Sequence, residues 1–313
     1  MTKRKTVFLR LILGCAIAIG AVRTSAAQAR FAVEAAAGVD ASTRAHVERL
    51  VEAGLARLTP MFPGTPKRSC VVTAHQSVDS LPPEVRASLH EGTAGVALLG
   101  RSEIHLILDE SRHHPPHDLR TVVDHELVHI LLDQFVGEAA PHVSRWFHEG
   151  LAQELSGGPY IGMSEDDLVI AARADRLFRF AELDQDFPGD RSGLRRAYAQ
   201  SFSFVGFLRR RFGLDALLEA ARQSTADGGF RAGFVAVTHG AMLHQVDEWR
   251  EYVLTGSGAP LRFLMRNCFS FLVVIGFPLL AIAVIRRFRR DDAARRKLEF
   301  EERVEHADER HHD

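Results

Sequence analysis

Cysteine is scarce in this chain, with three residues in 313. Cys15 and Cys268 lie in apolar stretches near the two ends, so Cys70 stands alone between them and no internal disulfide can form there. A packed hydrophobic core has to hold that region together, and its length is sufficient for one. Net charge is lacking too: 39 Lys and Arg face 40 Asp and Glu. That balance gives no electrostatic case for nucleic acid as a partner. Internal repeats and low-complexity tracts are missing, which excludes solenoid arrays. Tyrosine is as rare as cysteine, at three residues, so few candidates exist wherever a phenol is needed.

Long hydrophobic runs occur only at the ends. Residues 1–29 have a basic start (Lys3, Arg4, Lys5, Arg10), an apolar run from Leu11 to Val22 and a small-residue finish at Ala27-Gln28-Ala29. That is the layout of a secretory signal peptide, with an uncleaved anchor as the alternative. At the other end, Cys268–Ile285 carries no charge and is followed by Arg286, Arg287, Arg289 and Arg290. The reading is one C-terminal transmembrane helix over 263–285, Pro278 included, with a charged cytoplasmic tail at 286–313. A membrane is therefore an expected partner, and the region between would lie outside the cytoplasm.

Between the ends the pattern changes once. Residues 30–111 read as a mixed α/β half, with strands at Arg30–Ala37, Ser69–Ala74 and Ser102–Asp109 and a helix over Ser42–Leu58. Gly92–Gly100 is a small-residue segment. Residues 112–258 read as a helical half, so the fold class is α+β. Its helices are expected between Asp118 and Gly137, then at Ser144–Ser156, Glu165–Leu183, Gly193–Arg211, Leu214–Gln223 and Gly240–Leu254. The histidines of Arg112–His117 fit a polar loop ahead of a capped helix.

The helix opened by Asp118 carries His125-Glu126-Leu127-Val128-His129. Residues four apart on a helix differ by ~40° around its axis, so both imidazoles can reach one metal ion. The glutamate beside the first can take a proton from water there. Catalytic zinc takes three protein ligands, and two histidines with a glutamate form one such set. Nineteen residues separate His129 from Glu149, which stands in Trp146-Phe147-His148-Glu149-Gly150-Leu151-Ala152. That spacing allows one helix to end, a loop to turn and a second helix to present the carboxylate.

These motifs resemble those of the gluzincin metallopeptidases, the thermolysin and aminopeptidase-N-like clan, and more closely the bacterial peptidase MA-like proteins. The segment Ala197–Val205 is similar to the same family. The resemblance implies a gluzincin-like fold, Zn2+ as cofactor and a peptide or protein as substrate. It implies His125, His129 and Glu149 as metal ligands, Glu126 as general base and Tyr198 as donor to the oxyanion, with His148 as the other candidate for that role. It also implies that Ser102–Asp109 pairs with an extended peptide. Gln153 stands where thermolysin-like enzymes have an aspartate, leaving Asp124 or Glu154 to orient the histidines. No Gly-x-Met-Glu-Asn segment is present, which disfavours amine recognition and points to an endopeptidase. The whole reading is a membrane-anchored metallopeptidase of the bacterial inner membrane with its catalytic domain in the periplasm. The alternative is a tethered binding or assembly protein on the same scaffold, without catalysis.

Overall fold

The computed structural model describes residues 30–87, 89, 93–109, 118–158, 165–256, 270 and 272–309. The expected signal peptide, the histidines of 112–117 and the terminal His311-His312 lie outside these residues. The chain divides into two compact units, Met1–Ser257 and Gly258–Asp313.

The first unit is mixed α/β and mostly helical. Its strands are β1 (Phe31–Ala35), β2 (Cys70–His75), β3 (Gly95–Leu98) and β4 (Glu103–Ile107). They form one sheet in the order β1-β2-β4-β3. The first two junctions are parallel and β3 runs antiparallel to β4. The crossover from β1 to β2 holds helix α1 (Ala41–Leu58), capped by Asp40, whose carboxylate accepts the Ser42 and Thr43 N–H groups. Val47, Val51, Leu55 and Leu58 recur at helical spacing and form its buried face.

Gly92–Gly100, expected only as a small-residue segment, contains β3. Local propensity is weak there; the ladder with β4 makes the strand. A second expectation changes with it. β4 lies between β2 and β3 and has no free edge, so it cannot pair with a peptide. Among the described residues the edge strands are β1 and β3, and β3 is the one beside β4.

Behind β3, on the outer face of the sheet, Leu81, Val85 and Ile107 form a small core with Val96 and Leu98 against it. Two buried histidines complete this layer. His75 Nδ1 lies 2.9 Å from the Ser80 carbonyl, which can only accept, so that nitrogen carries the proton. His75 Nε2 then accepts from His105 Nδ1 at 3.0 Å. Burial holds both pKa values below the ordinary 6.5. As pH falls through 6.5, the unfolded chain takes up protons that the folded chain refuses. Stability is thus intact above that value and declines below it. Thermal melts at pH 5 and pH 7 should differ by several degrees through this pair, and His75→Leu with His105→Leu should remove that component. An unchanged difference in the double variant would refute the assignment.

The helical part begins with α2 (Leu119–Val136), whose N-cap Asp118 accepts the Thr121 N–H and whose C-cap Gly137 has φ 62°. Nearly every residue of α2 is buried, because the sheet, α1 and the later helices surround it. Helix α3 (Arg145–Ser156) follows. Ser144 makes no side-chain cap; the Arg145 N–H instead donates to the Asp184 carbonyl at 2.7 Å. Helix α4 (Glu165–Arg173) is shorter than the expected Glu165–Leu183, and a 3₁₀ turn at Phe180–Leu183 is separate from it. Then come α5 (Arg191–Phe212), α6 (Leu214–Arg222), α7 (Gly229–Thr238) and α8 (Met242–Glu251). Helix α7 was not foreseen. α3 meets α5 at Gly150, where a Cβ would lie 2.5 Å from the Ser201 carbonyl oxygen. This contact requires glycine. Trp146 and Phe147 of α3 anchor an aromatic core with Phe180, Phe204 and Phe230, Phe147 stacking on Phe230 at 4.0 Å.

The second unit corrects the expectation of a membrane span. Its helix α9 (Phe277–Glu309) has a short uncharged beginning, Phe277–Ile285, and is charged from Arg286 onward. At 1.5 Å per residue that beginning is about 14 Å long, against ~30 Å for a hydrocarbon core. Pro278, at the second position of α9, lacks an N–H and so makes no backbone hydrogen bond to the turn before it. Leu272–Gly276, immediately before it, is wound as a π-helix. No helix among the described residues is long and apolar enough to cross a membrane. Residues 263–269 and 271 of the expected span lie outside the described ones.

Candidate metal centre and cleft

His125 and His129 stand one turn apart on α2, their rings edge to face with centroids 4.8 Å apart. Their Nε2 atoms are separated by 3.2 Å. From α3, Glu149 Oε2 lies 3.4 Å from the first and 3.5 Å from the second. Oε2 is buried and has no hydrogen bond with suitable geometry. These atoms form a near-equilateral triangle. A tetrahedral zinc ion with bonds of about 2.0–2.1 Å separates its ligand atoms by roughly 3.3 Å, so the donor set fits zinc in both chemistry and size. Burial pushes the Glu149 carboxyl up in pKa, but the His129 and His125 rings outweigh it and hold the group well below the usual range.

Glu126, on the same helix, is 3% exposed. Burial raises its pKa to about 7, with His129 and the Ala97 N–H pulling down and Glu149 adding to the rise. A carboxyl poised near neutrality suits proton transfer in both directions. It lines a cleft of about 360 Å³ together with the three metal-binding candidates. β3 forms one wall through Gly95, Val96 and Ala97; Arg145, Asp184 and Tyr198 contribute to the others.

A family model described as the Peptidase MA superfamily matches residues 91–255, more than half of the chain. The chain belongs to the peptidase MA superfamily. No curated protein is similar enough to count as a relative. Peptidase MA membership implies peptide or protein substrates, and the superfamily is usually metal-dependent, in keeping with a His/His/Glu group whose ligand atoms all lie within 4.8 Å of one another. The matched region covers β3, β4, the two helices that carry the His/His/Glu group and α5, and leaves β1, β2 and α1 outside.

Within this peptidase MA domain, Tyr198 comes from α5 and lines the cleft with its ring edge-on to Phe187 at 5.1 Å. His148 also lines the cleft. It is 6% exposed, and neither ring nitrogen has a hydrogen-bond partner among the described residues. Burial, helped by His129, lowers its pKa to about 3, so the ring is neutral.

The three residues considered for orienting the histidines have other partners. Asp124 faces Arg57 of α1 at 2.5 Å and Arg120 at 3.4 Å, while Arg57 also donates to the Leu155 carbonyl. Asp124 therefore ties α2 to α1 and α3. Glu154 pairs with Arg209 at 3.1 Å. Gln153 donates to the Glu149 and Tyr198 carbonyls, both at 3.1 Å, and joins α3 to α5.

Sequence reasoning missed Arg145, whose Nε lies 3.9 Å from Glu149 Oε1 and whose guanidinium covers the Phe187 ring. Its spacing of four from Glu149 on one helix was the available signal. Gly95 and Ala97 were missed because their strand was.

Proposed function

We propose that this protein is a zinc-dependent endopeptidase of the gluzincin type. The observation that carries the reading is the triangle of His125, His129 and Glu149 with Glu126 beside it in one cleft. Bound there, zinc would supply a Lewis acid that polarises the scissile carbonyl and acidifies a water molecule. The chain's own groups do the rest. Glu126 accepts the proton from water and passes it to the departing amine, a task suited to a carboxyl with a pKa near 7. Tyr198 donates its hydroxyl to the developing oxyanion.

The substrate's course follows from the β3 ladder. The Ile107 N–H donates to the Ala94 carbonyl at 2.8 Å, so Ala94, Val96 and Leu98 turn their polar groups toward β4. The N–H of Gly95 and the C=O groups of Gly95 and Ala97 are left at the outer edge, in the cleft wall, while the Ala97 N–H is directed to the Glu126 carboxylate. An extended peptide pairs there through its backbone, which gives affinity with little dependence on side chains.

The test uses full-length, zinc-loaded protein and a library of peptides blocked at both ends. Cleavage at interior bonds is expected. Tyr198→Phe should cut the same bonds with kcat lower on the order of 100-fold and KM little changed. Trimming confined to peptides with a free amino terminus would refute the endopeptidase reading. A fully active Tyr198→Phe would move the donor role to His148.

A further inference from the structure

Gly95 and Ala97 share the inner face of β3, while Val96 and Leu98 face the small outer core. At Gly95 the strand comes unusually close to α2. A Cβ there would lie 2.9 Å from Glu126 Cγ, from Glu126 Oε1 and from Val122 Cγ1. Approaches this short require something to move. β3 is held by its ladder with β4, and α2 is packed on most sides, so the rotatable Glu126 side chain is the part that yields. Two residues further along the same face, the Ala97 N–H donates to the Glu126 carboxylate. The edge strand thus makes room for the base at one residue and holds it at another.

We propose that Gly95 is a positioning residue for hydrolysis: its missing side chain leaves the space in which the Glu126 carboxylate lies against the free edge of β3, beside the line of a bound peptide. This rests on the peptidase reading above. A methyl group at position 95 displaces the carboxylate from that place. It leaves the N–H and C=O of the edge intact, so peptide binding survives while proton transfer suffers.

Full-length, zinc-loaded variants test this in two ways. Gly95→Ala should lower kcat on the order of 100-fold, the effect of misplacing a reacting group by about an ångström, with KM within about twofold of wild type. The second readout needs no turnover. In a Val122→Ala background, which removes the other close neighbour, Gly95→Ala should lower the melting temperature by several degrees. The same change combined with Glu126→Ala, which removes Cγ and the carboxylate, should cost much less. An equal melting penalty with and without the Glu126 side chain overturns the proposal, as does an unchanged kcat in an active enzyme. A wild type that hydrolyses no peptide, blocked or free, overturns the peptidase reading first and the positioning role with it, even if the melting coupling is present.

Discussion

Glu126→Gln keeps the metal and loses turnover, with kcat lower on the order of 1,000-fold or more. The amide has nearly the shape of the carboxyl but cannot take a proton from water, and positioned acid–base groups typically contribute 10²–10⁴-fold. His125, His129 and Glu149 are untouched, so metal content measured by elemental analysis should remain near one zinc per chain. Folding should not suffer. Burial holds the Glu126 pKa up to about 7, against an ordinary 4.5, which means that ionising it costs stability as pH rises through that window. The neutral amide avoids this cost, and the metal-free variant should melt no lower than wild type above pH 7. Turnover within about tenfold of wild type would remove Glu126 from the mechanism.

Removing the metal should abolish turnover and lower the melting temperature by about 10 °C, both reversed by added zinc. A ligand at 1,000 times its Kd stabilises the folded chain by about 4 kcal/mol. For a domain of this size each kcal/mol shifts the melting temperature by about 2–4 °C. The three donors, within 3.2–3.5 Å of one another on packed helices, are already arranged, so binding pays little ordering entropy. Full activity and unchanged melting after exhaustive chelation, with metal analysis confirming removal, would refute a metal-dependent mechanism.

The features legible in the sequence are those carried by short stretches of chain. Asp118 and Gly137 bound α2 because capping is local. The four-residue interval puts His125 and His129 on one face of it, and the aromatic run around Glu149 marks the second helix. Where the sequence reading failed, distant partners decided. β3 has few strand formers and exists because β4 pairs with it, so the strand expected to pair with a peptide lies one position inside the sheet edge. Asp124 sits beside His125 in sequence, yet the helix turns it toward Arg57 of α1. The uncharged run near the C-terminus was read as one span from its length, whereas no helix among the described residues is long and apolar enough to cross a membrane.

Sequence by itself determined the peptidase MA family and the helical spacing that sets His125, Glu126 and His129 on one turn, because these depend on residue type and local geometry. Only the tertiary structure decided that Glu149 completes a triangle with the histidines, that β3 rather than β4 is an edge strand, and how closely Gly95 approaches Glu126. Those contacts join residues far apart in the chain, and their distances are set by how the sheet and helices pack.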